Sequence, residues 1–133
     1  MMNAHITDLK GQIALPKVQI EAARKGAVVC LPSTPARYDL VLDYQGKLYR
    51  AQVKYADGKS QRSQGAVRLD LQRRKKCYTA EEIDVVLVYV PQVDRVCWFN
   101  RNVFENRSLL HLRIAPAKNG QTNGCRMIDE FLW

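Results

Sequence analysis

Tyr38-Asp39-Leu40-Val41-Leu42-Asp43-Tyr44-Gln45-Gly46-Lys47-Leu48-Tyr49-Arg50-Ala51-Gln52-Val53-Lys54-Tyr55 is the stretch on which the fold turns. Tyr38 to Tyr44 and Lys47 to Tyr55 read as strands, and Gln45-Gly46 between them reads as a two-residue hairpin loop. With that loop Tyr44 faces Lys47, and continuing the register sets Asp39 across from Gln52, with Cβ atoms about 4.5–5.5 Å apart on one face. Lys54 lies two residues beyond Gln52 and projects from the same face. Tyr49, Ala51, Val53 and Tyr55 then point the other way, toward a core. An acid, an amide oxygen and an ammonium meet at one end of the hairpin, and a one-residue slip would scatter them.

Upstream, Leu9, Ile13, Pro16 and Ile20 recur near helical spacing, with Asp8 as a cap and Gly26 as a stop. Pro16 interrupts this pattern, which leaves one bent helix or a turn followed by a shorter helix. Ala27 to Leu31 is apolar on both faces and reads as a buried strand, ended by Pro32-Ser33-Thr34-Pro35. Downstream, residues 56–65 are polar, Val67 to Leu71 is a short strand, and Ile83 to Val90 is a central strand closed by Pro91. Arg95 to Phe99 and Leu109 to Ile114 are further strands, with a helical turn at 102–106. The pattern predicts an α+β fold, a mixed central β-sheet flanked by helices, in a single domain spanning 1–133. Residues 1–7 carry no pattern and are expected to be disordered. The apolar end of the chain, Met127 to Trp133, is expected to dock rather than hang free, and its exposed hydrophobics are a candidate assembly surface.

Lys and Arg number 21 against 13 Asp and Glu, a formal charge of +8. That excess favours a polyanionic partner, because each neutralised phosphate releases counterions. A net +6 of it falls between residues 59 and 76. Lys59, Arg62, Gln64, Arg68, Arg73, Arg74, Lys75 and Lys76 are therefore candidates for contact with DNA phosphates and base edges. The four cysteines form no C-x-x-C pair, no apolar run is long enough to span a membrane and no signal peptide opens the chain, which reads as a reducing cytoplasm.

Asp39, Gln52 and the carbonyl of Val53 offer oxygen ligands suited to Mg²⁺. Lys54 beside them can orient water or stabilise charge developing at phosphorus. Asp39 and Lys54 can also be read as a solvent-facing cross-strand pair contributing little.

Tyr38-Asp39, twelve residues, then Gln52-Val53-Lys54 resembles the D…(E/Q)-x-K core of the PD-(D/E)XK nuclease superfamily. A helix opening at Lys10-Gly11, followed by Gly26-Ala27-Val28-Val29, is similar to that superfamily's entry element. Arg50-Ala51-Gln52-Val53-Lys54 matches the small branch that includes cyanobacterial intron-encoded homing endonucleases, where Gln replaces Glu. The likeness covers roughly residues 9–114, with its motifs between Lys10 and Lys54.

The resemblance implies a restriction-endonuclease-like core and a site-specific homing-type endonuclease hydrolysing double-stranded DNA with Mg²⁺, nucleoid-associated in a bacterium. It makes Asp39 the principal metal ligand, Gln52 a neutral second ligand and Lys54 the residue that activates water. It also implies self-association as a homodimer or homotetramer. A Holliday-junction resolvase, a restriction-type nuclease and a non-catalytic DNA-binding module are the alternatives. Relatives carry an acid on the first helix where this sequence has Leu15, so the site reads as one acid short unless Glu21 reaches it.

Overall fold

The computed structural model describes residues 2–60, 63–73, 75–115 and 126–133, and only the backbone of 2–8, 57–60 and 63–64. A single helix, α1 (Met2–Arg24), runs through Pro16 and begins at Met2, where the sequence suggested disorder. Proline removes one hydrogen bond to the carbonyl of Gln12, and Gln12 is exposed, so water can take that carbonyl. The residues that picked out the helix do not face the core: Leu9, Ile13 and Ile20 are exposed. The buried stripe is Ala14, Val18 and Ala22, spaced by four, whose small side chains let the helix lie close on the sheet. Gly26, at φ +77°, ends α1. Its N–H donates to Ala23 O (3.1 Å) and that of Ala27 to Ala22 O (2.8 Å), the Schellman arrangement that satisfies the last carbonyls.

The next strands are β1 (Val28–Cys30), β2 (Leu40–Tyr44) and β3 (Lys47–Tyr55). Hairpin β4 (Asp57–Ser60) and β5 (Ser63–Asp70) and the short hairpin β6 (Gln72–Arg73) and β7 (Lys76–Cys77) follow. After β8 (Val85–Val90) come β9 (Arg95–Phe99), α2 (Arg101–Phe104) and β10 (Leu109–Arg113). The main sheet has the order β1-β2-β3-β8-β9, antiparallel except where β3 and β8 run parallel. A parallel neighbour needs a crossover. The crossover here is itself β structure, because β5 joins β4 and β10 in a second sheet. Residues 56–65, read as a polar loop, thus supply β4 and the start of β5.

Alternation along β3 and β8 divides the core. Leu40, Leu42, Ala51, Val85 and Leu87 pack with α1. Val86, Val88 and Val90 pack with Val67, Leu69, Leu110 and Leu112 of the second sheet and with Phe104 of α2. β8 is buried at all six positions, the central strand its apolar run predicts.

One expectation is corrected and another is met. The Ala27–Leu31 segment is an edge strand, not a buried one: Val28 is 59% and Leu31 58% exposed, since nothing covers the outer face of β1 among the described residues. The C-terminal residues are docked, as their apolar character implies. Trp133 N–H donates to Val96 O (3.0 Å), Trp98 N–H to Phe131 O (2.7 Å), and the Trp133 ring meets Tyr44 and Trp98 at 5.6 Å. No described helix is long and apolar enough to cross a membrane.

Leu87→Ala should cost about 3 kcal/mol by leaving a cavity between α1 and the sheet. Leu48→Ala, at a position 70% exposed, should stay within about 0.5 kcal/mol of the parent. Urea denaturation of the two variants checks the assigned faces.

Candidate active site

Gln45 and Gly46 both have positive φ, 53° and 78°, the type I′ turn whose twist suits a hairpin. Tyr44 pairs with Lys47 and the ladder runs in register to Leu40 opposite Ala51, as the sequence implies. It stops there. The N–H of Asp39 donates to Ala51 O (2.9 Å), and its carboxylate Oδ2 accepts from the N–H of Val53 (2.8 Å). Asp39 is therefore clamped between residues 51 and 53 instead of standing squarely across from Gln52. The incoming chain peels off β3 at this point, and the carboxylate stands in for a strand carbonyl.

Around that end of the hairpin lies a cavity of about 370 Å³. Lys10 and Leu15 of α1, Asp39, Val53 and Lys54, and Asp70 at the end of β5 line it. Lys54 Nζ donates to Gln72 O (2.9 Å) and sits 5.3 Å from the centre of the Tyr78 ring; Arg37 lies over that ring at 5.0 Å. Burial lowers the Lys54 pKa, against the pull of Asp70 and then Asp39. Burial raises the Asp39 pKa, opposed by the Val53 N–H, Arg73 and Lys54. Desolvation wins for both partners, so each charge is held at a cost that a ligand can offset. Tyr78 is fully buried, its hydroxyl has no partner among the described residues, and burial pushes its pKa to about 12.

The predicted residues separate. Asp39, Val53 and Lys54 share the cavity; Gln52 does not line it and is 7% exposed, with an Oε1 that has no partner among the described residues. Glu21 pairs with Arg24 (3.6 Å) and Lys25 (3.8 Å) near the far end of α1, outside the lining, whereas Leu15 occupies it. Of the basic candidates, Arg68, Lys75 and Lys76 are exposed, and Arg73 is half-buried with its guanidinium on Ala36 O (2.8 Å). Lys59 and Gln64 lie where only the backbone is described, and Arg62 and Arg74 lie outside the described residues. Asp70 was missed as a site residue; its one signal is that it is the only acid within the basic run 59–76.

No cluster of three His, Cys, Asp or Glu side chains suits a metal among the described residues. A hard cation here would rely on the Asp39 carboxylate with amide and carbonyl oxygens. A buried acceptor left unpaired costs about 1–3 kcal/mol. The orphaned Gln52 Oε1 is such an acceptor but lies outside the cavity lining; the Asp39 carboxylate and backbone carbonyls are the hard oxygen donors there that suit a divalent ion.

A family model described as PD-(D/E)XK endonuclease matches residues 5–133. The solved structure of a bacterial homing endonuclease, I-Ssp6803I, is similar at 27% identity with a TM-score of 0.71, covering 88% of this chain and 82% of that one. No curated protein matches.

Since the folded state holds Asp39 above its ordinary carboxylate pKa, ionising it opposes folding, and its contribution fades as the carboxyl becomes protonated. Metal-free Asp39→Asn, which keeps the acceptor for Val53 N–H, should therefore denature at higher urea than the parent at neutral pH. The gap should close as pH falls through the carboxylate range. A gap independent of pH would refute this.

Proposed function

We propose, for a chain that belongs to the PD-(D/E)XK endonuclease family, site-specific hydrolysis of double-stranded DNA with Mg²⁺, in the manner of a homing endonuclease. One observation carries the reading: a carboxylate, Asp39, and an ammonium, Lys54, are both half-buried in one cavity at the end of a hairpin, with the Val53 backbone between them. The site-specific, homing-type part of the reading draws support from the likeness to a bacterial homing endonuclease.

The family's nucleases use divalent metal ions, and bound Mg²⁺ supplies Lewis-acid polarisation of the phosphoryl oxygen and a more acidic water. Asp39 and the Val53 carbonyl are the groups that would hold it, and Gln52 Oε1, outside the cavity lining, would join them by turning its side chain toward the ion. Lys54 is fixed by Gln72 O and the Tyr78 ring, so its ammonium costs little reorganisation when negative charge grows on the phosphoryl oxygens. Burial lowers its proton affinity, which suits a group that orients water and moves a proton. Exposed Arg68, Lys75 and Lys76 face solvent on the β5–β7 segment that also carries Gln72, and there they meet phosphates. One site cuts one strand, so cutting both strands takes at least a homodimer, and a homotetramer lengthens the target that can be read. The chain acts as a single domain on DNA in the bacterial cytoplasm.

Purified protein should nick supercoiled plasmid as Mg²⁺ is raised, and Asp39→Ala or Lys54→Ala should lower the rate by about a hundredfold or more. Equal nicking by all three proteins, or none by any, would sink the nuclease reading. DNA binding without nicking by the parent would identify a binding module instead.

A further inference from the structure

We infer that Asp70 supplies the second carboxylate of the cation site, reaching it from the second sheet in place of an acid on α1. This rests on the nuclease reading and extends it to a residue outside the hairpin. Asp70 lines the same cavity as Asp39 and Lys54, while the helix contributes the apolar Leu15. The last residue of β5, it pairs with Leu109, and Leu71 beside it is fully buried, so the backbone that carries it is fixed by the core. Its Oδ1 accepts from the N–H of Gln72 (2.9 Å), and the carbonyl of that same Gln72 accepts from Lys54 Nζ (2.9 Å). One residue thus ties the Asp70 carboxylate to the Lys54 ammonium.

Of the two acids in the lining, Asp70 exerts the larger pull on the Lys54 ammonium. Asp70 is also exposed, so its second oxygen can be reached from solvent.

The competing role is a turn residue that merely caps Gln72. Asp70→Asn separates the two, because its side-chain oxygen still accepts from Gln72 N–H while the charge is gone. Free Mn²⁺, followed by its electron paramagnetic resonance signal, is titrated into the full chain without DNA. The parent should bind it, Asp39→Asn should lose it, and Asp70→Asn should weaken it by about tenfold or more. Adding Leu15→Glu to Asp70→Asn should restore affinity. Loss on Asp39→Asn with parental affinity for Asp70→Asn overturns the role of Asp70 and leaves the nuclease reading intact. No binding by the parent, or no effect of either substitution, overturns both. Should Asp70→Asn not fold, Mn²⁺ broadening of parental amide resonances decides: Asp70 must broaden together with Asp39 and Val53, and sparing of Asp70 overturns the inference.

Discussion

The hydrogen bond from the Val53 N–H to the Asp39 carboxylate is the constraint on which the site depends. A strand that stayed in its ladder would have bonded Val53 to a backbone carbonyl and closed the sheet over this position. Because the carboxylate takes the N–H instead, the chain before Asp39 leaves the sheet and a cavity opens between the hairpin end, α1 and β5. The same bond holds a half-buried carboxylate whose ionised form burial disfavours. Such a group is a poor contributor to stability and a good cation ligand, the combination expected where function rather than folding has selected the residue.

Lys54 shows how the two halves of the core combine. β3 presents it to the crossover, whose successive segments supply its neighbours: Asp70 at the end of β5, Gln72 O of β6 and the ring of Tyr78 just after β7. The parallel pairing of β3 with β8 requires a long crossover, and the segments of that crossover carry the groups that fix the lysine. The hairpin brings the acid and the lysine together, and the crossover immobilises the lysine.

Much of this was legible in the sequence because hairpin geometry is local. Gln45-Gly46 set the turn type, the turn set the register as far as Leu40 opposite Ala51, and alternation along β3 set the faces of Val53 and Lys54; Asp39, expected across from Gln52, lies where the ladder ends and accepts from Val53 N–H instead. The Ile83–Val90 run announced the central strand for a similar reason, since only a strand covered on both sides is apolar throughout. What failed to show was tertiary. The exposed Leu9, Ile13 and Ile20 outweighed the buried Ala14 and Ala22 because periodicity counts hydrophobicity, whereas close packing here needs small residues. Val28 to Leu31 looked buried because the sequence does not say which strand is the edge. Asp70 was hidden because it reaches the cavity through pairing with β10, some forty residues away, and inside a basic run it counted only as a lost charge.

The most direct test of a cation site at the splayed hairpin end is anomalous diffraction from crystals of the full chain soaked in Mn²⁺. A peak within about 2.0–2.5 Å of an Asp39 carboxylate oxygen, in the cavity shared with Lys54, is the predicted result. A map empty there, or a peak only at surface acids such as Glu81, Glu82 and Asp84, would contradict it.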